Sequence, residues 1–149
     1  MVYRDGKKGG NRLRADGYTF EDIRLAYIAG LFDGEGSVSV FKAGGQYACL
    51  SLRIQIVNTN ITPLQLVVNM LKGTIHTYPY TPEQRMPCYR WRIGGVAAGF
   101  ILEKLLPYLI IKKERAILGI EFVCTTNQIR RLEIFNEMHE LNKRGVDTN

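Results

Sequence analysis

Cysteine and histidine are scarce in this sequence. Its 149 residues include three cysteines and two histidines. Cys49, Cys88 and Cys124 lie far apart, which fits no disulfide framework, and with His76 and His139 they do not make the spacing of a zinc site. A reducing compartment is the simplest reading. Long apolar runs are missing too. The longest, Leu105 to Ile111, is short and contains Pro107, so no membrane span is expected. The first ten residues lack an apolar stretch of the kind that directs secretion. The protein is therefore expected inside a cell, in a prokaryotic cytoplasm or an organelle matrix. An acidic surplus is also absent: 20 Lys and Arg against 14 Asp and Glu leave a net charge of +6. That balance favours polyanionic partners, nucleic acid first and anionic membrane second.

What remains is an ordinary globular composition. Hydrophobic residues make up 46% of the chain, enough to rule out wholesale disorder. The length suits one domain with a real core. Residues 1–17 are polar, Gly-rich and basic, with Arg4, Lys7, Lys8, Arg12 and Arg14 against Asp5 and Asp16. They read as a flexible tail, and residues 18–149 as the single domain.

Thr19 followed by Asp22 has capping-box spacing, and a helix is expected from about Phe20 to Asp33. Leu25, Ile28 and Phe32 fall on a core-facing side. Ala26, Ala29, Gly30, Asp33 and Gly34 fall near a second stripe that is almost free of bulk. A bare stripe invites a second backbone to approach closely. Strands follow at Ser37 to Lys42 and Leu50 to Val57, closed by Asn58. In the second strand Leu50, Leu52, Ile54 and Ile56 alternate with Ser51, Arg53, Gln55 and Val57. Thr62-Pro63 reads as a helix start with proline at the first helical position, opening a helix to Leu71. Gly73 to Tyr78 and Tyr89 to Ile93 form a second hairpin, with Arg90 and Arg92 opposite the face of Tyr89, Trp91 and Ile93. Helices are expected at Val96 to Leu106, Glu114 to Val123 and Asn127 to Leu141. The order is αββαββα plus further helix: an α+β fold with one four-stranded antiparallel sheet and helices on one face.

The segment Ile28-Ala29-Gly30-Leu31-Phe32-Asp33-Gly34-Glu35-Gly36-Ser37 carries the chemistry. Two acids stand at the C-terminal end of a helix, where the macrodipole is negative and disfavours them. A positive group or a set of amide donors must offset them. If two copies of the helix pack along their bare stripes, two Glu35 carboxylates approach each other. Close carboxylates require a cation to stay ionised. Oxygen ligands at a helix end suit magnesium, which also binds phosphate oxygens. A rival calcium loop starting at Asp33 is discounted, because its sixth position is Val38 rather than glycine.

This segment resembles the LAGLIDADG motif of homing endonucleases. Ile28 stands for the first Leu, Ala29, Gly30, Leu31, Asp33 and Gly36 match, and Phe32, Gly34 and Glu35 replace Ile, Ala and the second Asp with like chemistry. Looser similarity runs on through Ile54 to Asn60 and Leu106 to Lys113. The resemblance implies a saddle-like sheet and, since one motif copy is present, a homodimer joined through the Leu25–Glu35 helix, with Ala26, Ala29, Gly30 and Asp33 at the seam. It implies that Glu35 binds metal with the backbone carbonyl of Gly34, magnesium being the expected ion and manganese or calcium able to take the same sites. Asp33 is expected to cap the helix interface rather than ligate. Asn58 falls where relatives order the attacking water, and Lys112 where they place a lysine near the scissile phosphate. Thr62 stands in a segment where some relatives carry an arginine.

Ser51, Arg53 and Gln55, continued by Arg90 and Arg92, form the outward row of the sheet, with His76 a further group that can face DNA. An antiparallel ribbon fits the major groove, where Arg suits guanine edges and Gln suits adenine edges. A strand of nine residues spans ~30 Å, close to one DNA turn of ~34 Å. The expected activity is hydrolysis of both strands of a long pseudo-palindromic target, leaving short 3′ overhangs. The ends of the chain lack intein-like splice junctions, so a free-standing, intron-encoded enzyme is expected. Two alternatives share the scaffold: a non-catalytic DNA-binding regulator, which retention of Glu35 disfavours, and a maturase that binds intron RNA.

Overall fold

A computed structural model describes residues 17–44, 49–78, 83 and 86–144. The tail expected over residues 1–17 lies outside the described residues, apart from Gly17. Thr19 starts helix α1 (Phe20–Glu35) with a closed capping box. The Thr19 hydroxyl accepts the Asp22 amide at 3.0 Å, and the Asp22 carboxylate accepts the Thr19 amide at 2.9 Å. The Tyr108 hydroxyl donates to the same carboxylate at 2.9 Å. Thr19 first, then Tyr108, hold the Asp22 carboxyl below its ordinary range. Leu25, Ile28, Ala29 and Phe32 of α1 are buried.

Helix α1 runs two residues beyond the expected Asp33 and passes into strand β1 (Gly36–Ala43) without a loop. Gly36 makes that junction: its amide donates to the Phe32 carbonyl. A β-carbon at position 36 would overlap both the Phe32 ring and that carbonyl. Strand β2 (Cys49–Asn58) returns antiparallel, with Gly36 opposite Ile56 and Ser39 opposite Arg53.

Helix α2 (Ile61–Leu71) starts earlier than the sequence reading placed it. Its N-cap is Asn60, whose side chain accepts the Thr62 amide at 3.0 Å; Thr62 is not the cap. Asn58 in turn accepts the Asn60 amide at 2.8 Å. Two successive asparagine caps thus satisfy the amides that a Thr62 cap would leave open. Pro63 is tolerated at the third helical position, because amides of the first turn have no intrahelical acceptor.

Strands β3 (Thr74–Tyr78) and β4 (Cys88–Gly94) form the second hairpin. Helix α3 (Gly95–Leu105), a 3-10 turn at Leu106–Tyr108, helix α4 (Lys113–Cys124) and helix α5 (Gln128–Arg144) complete the chain. The sheet order is β1-β2-β4-β3, so β2 and β4 are the inner strands. This is the expected α+β architecture, with the two hairpins joined in one antiparallel sheet. Val38, Val40, Leu52, Ile54, Ile56 and Trp91 point from the sheet into the core, where helix residues such as Leu64, Leu102, Leu105, Ala116, Ile134 and Met138 meet them. Each large apolar side chain buried this way contributes about 1.5–3 kcal/mol. The ion pairs of Arg130 with Glu121, Glu133 and Glu137 lie at the surface, where solvent screens them and each adds little. The core therefore dominates stability. Among the described residues no helix is long and apolar enough to cross a membrane.

Gly36→Ala is expected to lower unfolding free energy by about 1–3 kcal/mol, the usual cost of overpacking, as read from urea denaturation. An unchanged midpoint would show that the α1–β1 junction has room to spare.

Candidate active site and nucleic-acid interface

Asp33 is buried at the end of α1. Its carboxylate accepts the Ile110 amide at 2.8 Å and the Lys112 amide at 3.0 Å. The Lys112 ammonium donates to the Asp33 backbone carbonyl. Both offsets demanded by acids at a helix C-terminus are therefore present, amide donors on the carboxylate and a cation on the negative end of the helix. Burial pushes the Lys112 ammonium below its usual range, Asp33 and Glu35 oppose that shift, and Arg115 adds to it. The segment Leu109 to Lys112 is thereby clasped to α1 before α4 begins.

Glu35 and Gly34 follow Asp33 on α1 and are exposed. Glu35 precedes the β1–β2 ladder, in which Gly36 pairs with Ile56. Asn58, two residues beyond Ile56, lies at the same end of the sheet, where it pairs with Tyr89. The Asn58 side-chain oxygen Oδ1 accepts the Asn60 amide. Glu35, Gly34, Asn58 and Lys112 thus gather at one end of the subunit. Among the described residues no three His, Cys, Asp or Glu side chains converge on a common point. This end of the chain accordingly offers one exposed carboxylate and carbonyl oxygens, too few donors for a protein-only cage. That set fits magnesium, which keeps several waters and commonly binds through one or two carboxylates plus substrate phosphate.

The sheet face away from the helices carries every residue of the expected DNA-reading row. Register places Ser39 beside Arg53, Gln55 beside Arg92, and Arg90 beside His76. Burial first, and then Arg92, push the Arg53 guanidinium below its usual range. Arg90 is lowered by burial, Arg92 and Arg53 in that order. No carboxylate pairs with these three arginines among the described residues. The Nε atoms of Arg90 and Arg92 are buried with no hydrogen-bond partner there. Such mutual repulsion, left uncompensated among the described residues, is what a polyanion relieves.

Two aromatic residues on this face escaped the sequence reading. Phe41 lies against Arg53 and Tyr78 against Arg90. The signal was parity: Phe41 alternates in step with Ser37 and Ser39, and Tyr78 with Thr74 and His76, so both rings belong to the polar face.

The bare stripe of α1 differs from the expected one. Ala29 is fully buried and Asp33 is nearly so, both within the subunit. Their side chains serve the chain's own core and clasp. Ala26, Gly30 and Gly34 are exposed, in line with Ile23 and Tyr27, which are also exposed. A β-carbon added at Gly30 or Gly34 would meet nothing within 4 Å. The open stripe is thus rotated toward Ile23 and Tyr27, because the Ala29 edge is taken up by core packing.

No family profile and no curated protein matches the sequence. Solved structures do. The homing endonuclease I-CvuI, in complex with DNA in the presence of magnesium, aligns over 87% of this chain and 84% of its own, with a TM-score of 0.64 and 20% identity. The archaeal intron-encoded homing endonuclease I-Vdi141I, complexed with DNA, aligns over 81% and 85%, with a TM-score of 0.66 and 22% identity. The LAGLIDADG homing endonuclease I-SmaMI, bound to cleaved DNA, aligns over 78% of this chain and 42% of its own, with a TM-score of 0.59 and 17% identity. The fold is that of the LAGLIDADG homing endonucleases.

Asp33→Ala removes the acceptor of the Ile110 and Lys112 amides. It is expected to cost about 2–4 kcal/mol, with Asp33→Asn, which keeps one carbonyl oxygen, costing less. Chemical denaturation checks this; equal losses for the two variants would show that the clasp depends on charge alone.

Proposed function

We propose that this chain, built on the LAGLIDADG endonuclease fold, is a site-specific, divalent-metal-dependent DNA endonuclease that acts as a homodimer. The observation that carries this reading is the combination of an exposed Glu35 at the end of α1 with a continuous arginine-bearing sheet face leading away from it. The three solved relatives named above were determined with DNA, one of them in the presence of magnesium.

Glu35 and the Gly34 carbonyl are the groups that would hold a divalent cation, whose chemistry when bound is to activate water and to stabilise the charge of the leaving oxygen. The reaction is hydrolysis at phosphorus with in-line loss of the 3′ oxygen, and no covalent nucleophile is required. Lys112, held beside the Asp33 carbonyl, supplies positive charge next to the scissile phosphate. The Asn58 side-chain amide, whose oxygen is occupied by Asn60, retains two N–H donors with which to orient water. Ser51, Arg53, Gln55, His76, Arg90 and Arg92 bind the duplex, the arginines and Gln55 reading base edges in the major groove.

The α1 stripe formed by Ile23, Ala26, Tyr27, Gly30 and Gly34 is the dimer seam of this reading, since side-chain-free positions let two backbones approach closely. Pairing along it brings the second Glu35 to complete a site that one subunit leaves short of ligands. Two such sheets in line cover roughly two turns of DNA. The target is then long and pseudo-palindromic, cut with short 3′ overhangs, and the gene lies in an intron.

Glu35→Gln is expected to abolish cleavage in magnesium while target binding persists; a variant that cuts normally removes Glu35 from the chemistry. Gly30→Leu is expected to convert a dimer to monomers in analytical ultracentrifugation without unfolding the subunit, because the lone chain has room at that position. Sedimentation of the parent chain as a monomer, free and on DNA, would refute the dimer.

A further inference from the structure

Each inner strand of the sheet carries an arginine set against an aromatic ring of the neighbouring edge strand. Arg53 on β2 stands opposite Ser39, and its guanidinium carbon lies 3.9 Å from the ring centre of Phe41, two residues further along β1. Arg90 on β4 stands opposite His76, and its guanidinium carbon lies 4.3 Å from the ring centre of Tyr78, two residues further along β3. Both pairs use the same diagonal relation between adjacent strands, a distance that long and aromatic side chains can bridge. Neither ring is part of the buried core cluster. They occupy the face that also carries Ser39, Ser51, Arg53, Gln55, His76, Arg90 and Arg92.

A free arginine side chain samples many rotamers. Unrestrained, it reaches any nearby phosphate as readily as a base edge. A ring beneath the guanidinium removes most of that choice. In Arg90 the Nε is also enclosed, which leaves the two terminal nitrogens as the pair free to meet a ligand edge. Two parallel donors in that geometry match the O6 and N7 acceptors of guanine.

We infer that Phe41 and Tyr78 are positioning residues that hold Arg53 and Arg90 for guanine readout, each at one fixed base pair of every half-site. This rests on the endonuclease reading above and adds which positions discriminate and why. Arg92 lies between the two and has no ring contact among the described residues. It serves as the internal control.

The test is selection of bound duplexes from a randomised library by the full-length chain and by Phe41→Leu, Tyr78→Leu and Tyr78→Phe. Phe41→Leu is expected to weaken guanine preference about three- to tenfold at one symmetric pair of positions, leaving other positions and affinity for random duplex unchanged. Tyr78→Leu does the same at a second pair, and Tyr78→Phe, which keeps the ring, retains the preference. In an Arg53→Ala background Phe41→Leu has no further effect. Loss spread evenly over the site, equal damage from Tyr78→Phe and Tyr78→Leu, or an effect of Phe41→Leu that survives without Arg53 overturns the inference. A parent chain that enriches no sequence defeats the endonuclease reading as well. One that enriches a site whose guanines are indifferent to both rings defeats only the positioning role.

Discussion

Asp33 stands in the last turn of one helix and holds the approach to another. Its carboxylate takes the amides of Ile110 and Lys112, while its carbonyl takes the Lys112 ammonium. Removing that carboxylate takes the acceptor away from both amides. The clasp also fixes where α1 stops. Glu35 is then delivered to the surface two residues later, and Gly36 carries the chain directly into β1. With a loop in place of that junction, the exposed acid would have no defined relation to the sheet.

The sheet divides its two faces by simple alternation, yet they do different work. One supplies the apolar row that Leu64, Leu102 and Leu105 cover. The other gathers three arginines without a carboxylate among them in the described residues. Placing like charges together costs stability in the isolated chain, and burial of the Arg90 and Arg92 Nε atoms adds to that cost. In the proposed complex, phosphates and base edges supply the missing partners. The α1 stripe is incomplete in a comparable way: Gly30 and Gly34 leave space that the subunit does not fill. A site short of ligands and a helix short of neighbours lie at the same end of the same element, and the proposed dimer answers both.

Local pattern carried far in this chain. Alternation of Leu50, Leu52, Ile54 and Ile56 with polar residues located β2 and its buried face, and the Thr19–Asp22 spacing located the start of α1. The acids of residues 33 and 35 pointed to a site because their position against the helix dipole demanded compensation. Other features were decided by competition between neighbours. Asn60 rather than Thr62 caps α2, since Asn58 and Asn60 act in series. Ala29 and Asp33 could be placed near a bare stripe by spacing, but which edge of that stripe stayed open depended on how the core was filled.

Sequence alone determined the αββαββα order, the core-facing rows and the segment around Glu35, because these follow from periodicity and capping within a few neighbouring residues. Tertiary structure decided that Lys112 meets Asp33, that Phe41 and Tyr78 lie against Arg53 and Arg90, and that the open stripe of α1 turns toward Ile23 and Tyr27. Those contacts join residues set by strand register and by helix packing, and neither is encoded in any one stretch of chain.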